Sequence, residues 1–491
     1  MAKSKTDELF NGMSVQTIAL IVTAVVEMLM FSFWSRHLSK QDFGYMAAIG
    51  GILSIVECIS SAGLGSAIVQ KKDASKEFIS TAFTLSFILG VIGMLVVFVF
   101  APQLALLVAD DEYLSTPLRI MSINILLLTL LSVSNNQLIK QLRFKRNAII
   151  SIASYVCASI IGIILALKGY GLYALIAVSI ATPLLSLIFI YLTSLKIPRL
   201  GIHKQYVSGI VSYGGWLTAG SLFNAFTIKA DSLMLSRLLS VEALGAYNRP
   251  AGFVNTISTK INSVFDTVLF PLLSGIQDDT KKVHDVLLRS ISLLNSCSIV
   301  LASIFFFNAE LIITVFFGSQ WLDLVPIMRI VSIAIVFKID GRLVDCFFRS
   351  LNLVRLGAIL RFVQGGIVIV AIVIGARFGI IGVAVAITLS DIFVILMKVL
   401  ALVLNVKVSV QEVAKRWLLS WRSVLPILAI SIPYLLIPHS LVVNIIYAVI
   451  FALVFLCEFL IWPQVVGQDY ASTVGPQIDK VMSKVGIKRR K

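Results

Sequence analysis

The stretch SRHLSKQDFG at residues 35–44 returns, nearly unchanged, as SRLLSVEALG at residues 236–245. Each copy follows a long apolar run and precedes another, and the two copies lie 201 residues apart. Each contains a serine suited to cap the following helix and ends on a glycine that permits close helix approach. These residues are Ser39 and Gly44 in the first copy, and Ser240 and Gly245 in the second. A helix junction that occurs twice in the sequence predicts an internal duplication.

The duplication continues in the sequence that follows each junction. Three further pairs of segments keep the same order: FAPQLALL (100–107) with FNAELIIT (307–314), LRIMSI (118–123) with MRIVSI (328–333), and GYGLYALIAVSI (169–180) with RFGIIGVAVAIT (377–388). Four anchors in one order predict that most of the chain consists of two copies of one unit. Such parallel repeats are typical of alternating-access transporters.

The composition places these repeats in a membrane. The chain of 491 residues is 58% hydrophobic and 13% charged, with a mean hydropathy of +0.97. A membrane helix needs about 20 mainly apolar residues. The apolar runs of this length lie at 14–38, 43–67, 79–101, 116–139, 147–168, 171–195, 207–239, 245–275, 286–308, 325–349, 357–376, 379–404, 423–439 and 441–462.

These runs predict an all-α integral membrane protein of about 14 transmembrane helices, arranged as two six-helix lobes and two extra C-terminal helices. The first lobe is predicted to cover residues 1–200 and the second residues 201–406. Residues 407–491 are predicted to form the two additional helices and a basic cytoplasmic tail.

Positive charge falls in alternate gaps between the apolar runs, and such loops remain cytoplasmic. The basic gaps contain Lys71, Lys72 and Lys76; Lys140, Arg143, Lys145 and Arg146; Lys196, Arg199 and Lys204; Lys281, Lys282 and Arg289; and Lys407, Lys415, Arg416 and Arg422. The pattern predicts that both termini are cytoplasmic. It also explains the net charge of +16 without a nucleic-acid partner.

The sequence contains few of the motifs that catalyse the breaking of covalent bonds. It lacks the phosphate-binding pattern G-x-x-x-x-G-K-[ST], so direct drive by ATP is not expected. The five cysteines have no paired spacing, and the four histidines lie near predicted loops without a triad. We therefore expect no metal, no cofactor and no enzymatic activity.

Three segments carry a resemblance to a known family: GLGSAIVQKKD at 63–73, KADSLMLSRLLSVEALGAYNRP at 229–250 and VLFPLLSGIQDD at 268–279. They are similar to the Wzx-type flippases of the polysaccharide-transporter branch of the multidrug/oligosaccharidyl-lipid/polysaccharide exporter superfamily. The resemblance covers the first twelve predicted spans. It implies a pair of six-helix lobes in the bacterial inner membrane that translocate an undecaprenyl-pyrophosphate-linked oligosaccharide to the outer leaflet.

Charged and amide side chains inside the predicted spans are candidate site residues, because such groups are costly in a membrane unless they face a cavity or a partner. Cations and amides suit a phosphate headgroup and sugars, whereas carboxylates suit an exchangeable proton. The substrate-binding candidates are Arg249, Lys260, Lys229, Arg342, Lys338, Asn124 and Asn135. The ion-coupling candidates are Asp231, Glu27, Glu57 and Asp345.

Two of these sets have helical spacing. Arg249 and Lys260 are eleven residues apart, close to three turns, and the charged residues of the tenth span recur at i, i+4, i+7 and i+11. An alternative is that Lys229 with Asp231, or Arg342 with Asp345 and Arg349, form structural ion pairs.

The sequence therefore favours a flippase for lipid-linked oligosaccharide repeat units, driven by a coupled ion or by the substrate gradient. Membrane lipids, and a polysaccharide polymerase and chain-length proteins, are the candidate partners. A cation-coupled exporter of drugs or other small molecules is the alternative, and a membrane-embedded glycan-processing enzyme is a more distant one. A cationic second lobe favours the flippase, because it would repel organic cations.

Overall fold

A computed structural model describes residues 22–23, 25–61, 63–71, 75–141, 143–277, 279–435 and 441–456. Within these ranges the regular elements are helices, and no strand occurs. The chain forms two compact units, residues 1–248 and 249–491. The predicted all-α fold is confirmed.

The first unit contains nine helices of the described chain and the start of a tenth. They are α1 (25–37), α2 (Lys40–Ser61), α3 (Leu64–Gln70), α4 (Lys76–Ala109), α5 (Ser115–Met121), α6 (Ile123–Lys140), α7 (Phe144–Leu167), α8 (Leu172–Thr193), α9 (Lys204–Leu238) and α10 (Val241–Ile276). The division between the units falls within α10.

The second unit contains the rest of α10 and eight further helices of the described chain. They are α11 (Thr280–Phe307), α12 (Ala309–Phe316), α13 (Val325–Ser350), α14 (Val354–Ala376), α15 (Gly379–Val406), α16 (Val410–Ser420), α17 (Leu425–Leu435) and α18 (Leu441–Leu456).

The predicted duplication is visible in the bounds of these helices. The start of α5, the end of α6 and the start of α7 each recur 210 residues later, at the start of α13, the end of α13 and the start of α14. The packing partners recur as well: α4 with α6, α6 with α8 and α7 with α8 correspond to α11 with α13, α13 with α15 and α14 with α15. Gly171 and Gly379 both have positive φ, 49° and 72°, at the matching helix starts. The repeat is therefore present in backbone conformation and in packing.

The predicted number of 14 spans is not confirmed. Eight segments of the described chain are long and apolar enough to cross a membrane: Lys40–Ile68, Lys76–Ala109, Glu112–Lys140, Phe144–Leu167, Leu172–Thr193, Thr280–Phe307, Val354–Ala376 and Gly379–Val406. Helices α9, α10 and α13 occupy three further predicted spans, but their polar and charged residues make them less apolar. The predicted first, thirteenth and fourteenth spans lie partly outside the described residues, as does the whole of the basic tail.

Both copies of the repeated junction form the helix starts predicted for them. Asp42 N donates to Ser39 Oγ at 3.2 Å, and Ser39 N donates to the Asp42 carboxylate at 2.9 Å. In the second copy, Ala243 N donates to Ser240 Oγ at 3.0 Å. The predicted serine caps are confirmed, and the first copy adds a reciprocal bond in the manner of a capping box.

The glycines of the two junctions lie where α2 and α10 cross. A Cβ added to Gly44 would lie 1.8 Å from the Val241 carbonyl oxygen, and one added to Gly245 would lie 1.9 Å from the Lys40 carbonyl oxygen. No side chain fits in either position. The predicted close helix approach is confirmed, and the two copies of the junction are each other's partners.

Helix α9 packs along the first unit, against α2, α3 and α4. Near its start, Ile210 is buried in a cluster with Phe78 and Val133. Near its end, Ser236 Oγ donates to the Val108 carbonyl at 2.8 Å, and Arg237 pairs with Asp110 at 2.9 Å. These contacts place α9 in the first compact unit. The lobe boundary predicted at 200/201 from the duplication stays a prediction.

The segment between α8 and α9 is fastened to α4 by three hydroxyl groups. Gly201 N donates to Thr84 Oγ1 at 2.9 Å, and His203 N donates to Thr81 Oγ1 at 3.1 Å. Ser80 Oγ donates to the Arg199 carbonyl. The segment therefore follows the surface of α4 as an extended strap.

Candidate functional site: a charged stripe on α13

Four charged residues of α13 form one continuous face, which we call the α13 stripe: Lys338, Arg342, Asp345 and Arg349. Arg342 and Arg349 are exposed, while Lys338 and Asp345 are half-buried. The residues between them, such as Leu343, are buried. The spacing read from the sequence thus corresponds to a real face of the helix.

Helix α10 supplies neutral polar partners for the stripe within the second unit. Lys338 Nζ donates to Asn255 Oδ1 at 2.9 Å, and Arg342 Nη2 donates to Thr259 Oγ1 at 3.0 Å. Asn255 and Thr259 are one turn apart on α10, and both are exposed. The two helices therefore present cations, an amide and a hydroxyl next to one another.

Carboxylates on the stripe and on α15 form ion pairs. Asp345 lies 3.3 Å from Lys398 Nζ and 3.5 Å from Arg361 Nη2, and Lys338 Nζ lies 3.8 Å from Asp391. Lys398 is 5% exposed, so its charge depends on this partner. The described ion pairs join Asp345 to Lys398 and Arg361, and the alternative that Arg342 pairs with Asp345 and Arg349 stays a prediction. Helix periodicity places residues on a face but does not choose the neighbouring helix that supplies the partner.

The site carries more positive than negative charge. Among the described residues, the ion pairs of the site join three cations, Lys338, Arg361 and Lys398, to two carboxylates, Asp345 and Asp391. Arg342 adds a further cation. Arg342 forms no ion pair in the part of the chain that the structure describes, and its partner Thr259 is neutral. Charge-assisted hydrogen bonds from such groups bind phosphate oxygens well. The arrangement suits an anion.

Two leading candidates, Arg249 and Lys260, lie on α10 and are both half-buried. At 100° per residue they point in nearly the same direction, as the sequence predicts. Asn255 and Thr259 point roughly 100° away from them around the helix. The residues of α10 for which hydrogen bonds to the stripe are described are Asn255 and Thr259, which the sequence prediction missed. Two polar side chains four residues apart in an apolar span were the available signal.

The remaining candidates lie in the first unit. Asn124 is buried on α6 with its Oδ1 unsatisfied among the described residues, whereas Asn135 is half-buried eleven residues later on the same helix. Glu27 on α1 and Glu57 on α2 are half-buried. Lys229 is half-buried on α9, and the side chain of Asp231 lies outside the described residues.

Residues 33–326 match the family described as polysaccharide biosynthesis protein. The chain belongs to this family. Among curated relatives, it is 28% identical over 333 residues to the succinoglycan biosynthesis transport protein ExoT of Rhizobium meliloti, a match that covers 66% of this chain and 65% of that protein. It is 23% identical to the lipopolysaccharide biosynthesis protein WzxC of Escherichia coli, over 79% of this chain and 80% of that protein. The matched part of the first relative is a little under two thirds of its length.

Two solved structures show the fold class. The lipid II flippase MurJ in an inward closed conformation superposes with a TM-score of 0.68 at 16% identity, over 90% of this chain and 98% of that one. An inward-facing multidrug resistance MATE transporter of the MOP superfamily gives a TM-score of 0.60 at 15% identity, over 77% and 93% of the two chains. The chain therefore shares the fold of these two transporters.

Proposed function

We propose that this protein is a flippase that moves a lipid-linked oligosaccharide repeat unit across the bacterial inner membrane by alternating access. The observation that carries the proposal is the positive surplus of the α13 stripe, with Arg342 held only by the neutral hydroxyl of Thr259 among the described residues. A surplus of cations inside a membrane protein requires an anionic partner. A pyrophosphate headgroup supplies that charge in compact form.

The chemistry around the stripe matches both parts of such a substrate. Guanidinium and ammonium groups pair with phosphate oxygens in a low-dielectric space. Asn255 and Thr259, which hold Lys338 and Arg342 in the described structure, can exchange these bonds for bonds to sugar hydroxyl groups. Binding of the anion to Arg342 would thus replace a neutral hydrogen bond rather than break an ion pair.

The names of the relatives support a glycan rather than a drug as cargo. ExoT and WzxC are named for succinoglycan and lipopolysaccharide biosynthesis, and the fold neighbour MurJ is named for lipid II. We further propose that transport is coupled to an ion, that both termini are cytoplasmic, and that a polysaccharide polymerase and chain-length proteins act with the flippase. The alternative, export of organic cations, is disfavoured because the stripe would repel such cargo.

Deletion of the gene in its own host tests the proposal. We expect the lipid-linked repeat unit to accumulate on the cytoplasmic leaflet, where an added impermeant glycosidase or lectin cannot reach it in intact spheroplasts. Re-expression of the intact chain should restore access from outside. Normal surface polysaccharide together with raised sensitivity to cationic drugs would instead support the drug exporter.

A further inference from the structure

Trp417 connects α16 to two helices of the second unit. Its indole Nε1 donates a hydrogen bond to Asp340 Oδ2 on α13 at 3.0 Å, and its carbonyl accepts one from Asn295 Nδ2 on α11 at 3.1 Å. The centroid of its ring lies 6.2 Å from that of Phe337. The Asp340 carboxyl group is therefore one of the groups that hold α16 against α13.

Several buried polar atoms around Trp417 have no hydrogen-bond partner in the described chain. They include Oδ1 of Asp340, Oδ1 of Asn295 and Nε1 of Trp421, and the Trp421 ring centroid lies 5.5 Å from that of Trp417. Asp340 is 4% exposed. A carboxylate with a single donor is costly to bury, whereas a protonated carboxyl group is neutral and gains a donor. The neutral form of Asp340 fits this site.

No ion pair in the described chain includes Asp340, although several charged residues lie on neighbouring elements. On α13 itself, Lys338 and Arg342 are each two residues away and point to the opposite side of the helix. The charged residues and the histidine of the elements around it are Lys281, Lys282, His284, Asp285 and Arg289 of α11; Glu412, Lys415 and Arg416 of α16; Arg355 and Arg361 of α14; and Asp391 and Lys398 of α15. Asp285 pairs with Arg289, and Arg361, Asp391 and Lys398 pair with the stripe. Burial and the indole hydrogen bond therefore set the state of this carboxyl group.

The duplication shows that the fold does not need this acid. At the spacing of 210 residues, Asp340 corresponds to Leu130 of α6, which packs against an apolar cluster. Helix α16 lies beyond the duplicated region, which ends with α15. The second copy thus acquired a buried carboxyl group at the place where an additional helix docks.

We infer that Asp340 is a proton-binding site and that its proton controls the docking of α16. With the proton bound, Trp417 and Asn295 hold α16 against α11 and α13. When the proton leaves, the carboxylate needs water or further donors, and α16 separates to admit them. This inference does not depend on the identity of the substrate.

Cysteine labelling of the full-length protein in lipid nanodiscs tests the inference. Val413 of α16 is buried and the adjacent Ala414 is exposed, so Val413→Cys reports undocking and Ala414→Cys is its matched control. Brief maleimide labelling is read from the tryptic peptide by mass spectrometry. Because either thiol reacts only as an exposed thiolate, the ratio of the two labelling rates removes the pH dependence of the reagent.

We expect this ratio to rise with pH by up to about tenfold per unit, since one proton is released on undocking. Asp340→Asn, which stays neutral, should keep the ratio low and independent of pH. A flat ratio with Asp340 present, or an equal rise in Asp340→Asn, would overturn the inference. If the Val413→Cys protein does not accumulate, the amide hydrogen exchange of residues 410–420 is measured in the unsubstituted protein instead. Protection that remains constant with pH, after correction for intrinsic exchange, would have the same meaning as a flat ratio.

Discussion

Helix α6 of the first unit and α13 of the second are copies of one helix, yet they differ sharply in charge. At the spacing of 210 residues set by their common end, the four residues of the α13 stripe correspond to neutral residues of α6: Lys338 to Leu128, Arg342 to Ser132, Asp345 to Asn135 and Arg349 to Ile139. Both helices pack against equivalent neighbours. The first copy therefore forms the same helix and the same packing without these charges.

The contacts that join each helix to its neighbour differ in the same way. Between α6 and α8, the hydroxyl groups of Ser134 and Tyr191 lie 2.7 Å apart. Between α13 and α15, Asp345 and Lys398 form an ion pair. A contact between two neutral hydroxyl groups tolerates substitution of either residue. In a buried ion pair, by contrast, loss of one residue leaves the charge of the other uncompensated.

We expect the largest loss of stability when the carboxylate of this ion pair is replaced by the neutral residue of the first copy. Asp345→Asn introduces the residue found at position 135 and leaves Lys398, which is 5% exposed, with an uncompensated charge. Removal of one partner from a buried pair costs about 3–5 kcal/mol. We expect a marked fall in the thermal unfolding midpoint of the detergent-purified protein.

The control for this experiment is the double variant Asp345→Asn with Lys398→Met. It removes both charges and should recover most of the lost stability. An Asp345→Asn protein as stable as the parent would show that the pair is not structural, and would return Asp345 to the set of ion-coupling candidates.

A second substitution tests the surplus charge itself. Arg342→Ser installs the residue found at position 132 and breaks no ion pair in the described chain. We expect unchanged stability and a loss of export of roughly 10- to 100-fold, because a hydrogen bond from a charged group contributes about 1.5–3 kcal/mol. Surface polysaccharide in a deletion strain complemented with the variant is the readout.

The matched control is Arg355→Ser, which removes an exposed arginine at the start of the neighbouring helix α14. Export should remain normal in that strain. Equal export by the Arg342→Ser and Arg355→Ser strains would mean that the stripe does not hold the substrate.

The smallest effect is expected where the two copies are alike. Gly44→Ala and Gly245→Ala place a Cβ within 2 Å of a carbonyl oxygen of the other junction, and overpacking of this kind costs about 1–3 kcal/mol. Gly50→Ala and Gly252→Ala, on the same two helices, meet nothing within 4 Å. In thermal unfolding the first pair should lower stability and the second should keep or raise it. If all four variants behaved alike, the crossing of α2 and α10 would not be tight.

The sequence predicted the parts of this molecule that depend on local or repeated signals. Apolar run length located the helices, and the caps and glycines of the repeated junction were predicted from residue type alone. The stripe was predicted because helical periodicity relates residues on one element. Among the first unit's candidates, Asn124 and Asn135 share the eleven-residue spacing of Arg249 and Lys260, whereas Glu27 and Glu57 lie on different helices and have no such pattern.

Contacts between elements distant in sequence were not predicted. Asp345 contacts Lys398, which lies 53 residues away in the sequence, and Trp417 contacts Asp340, which lies 77 residues away. Neither pairing has a spacing rule, because tertiary packing decides which helix lies next to which. The count of spans was not confirmed for a related reason: α13 is helical and packed at its predicted place, but its charges remove the apolar signal that identifies a membrane helix.

The strap between α8 and α9 has a mechanical consequence. Because Ser80, Thr81 and Thr84 bind the backbone of residues 199–203 at three points, the connection between α8 and α9 is rigid. A rigid connection transmits displacement, so α4 and the first turn of α9 must move together as one rigid body. Any motion of α9 relative to its own first turn therefore requires bending within that 35-residue helix.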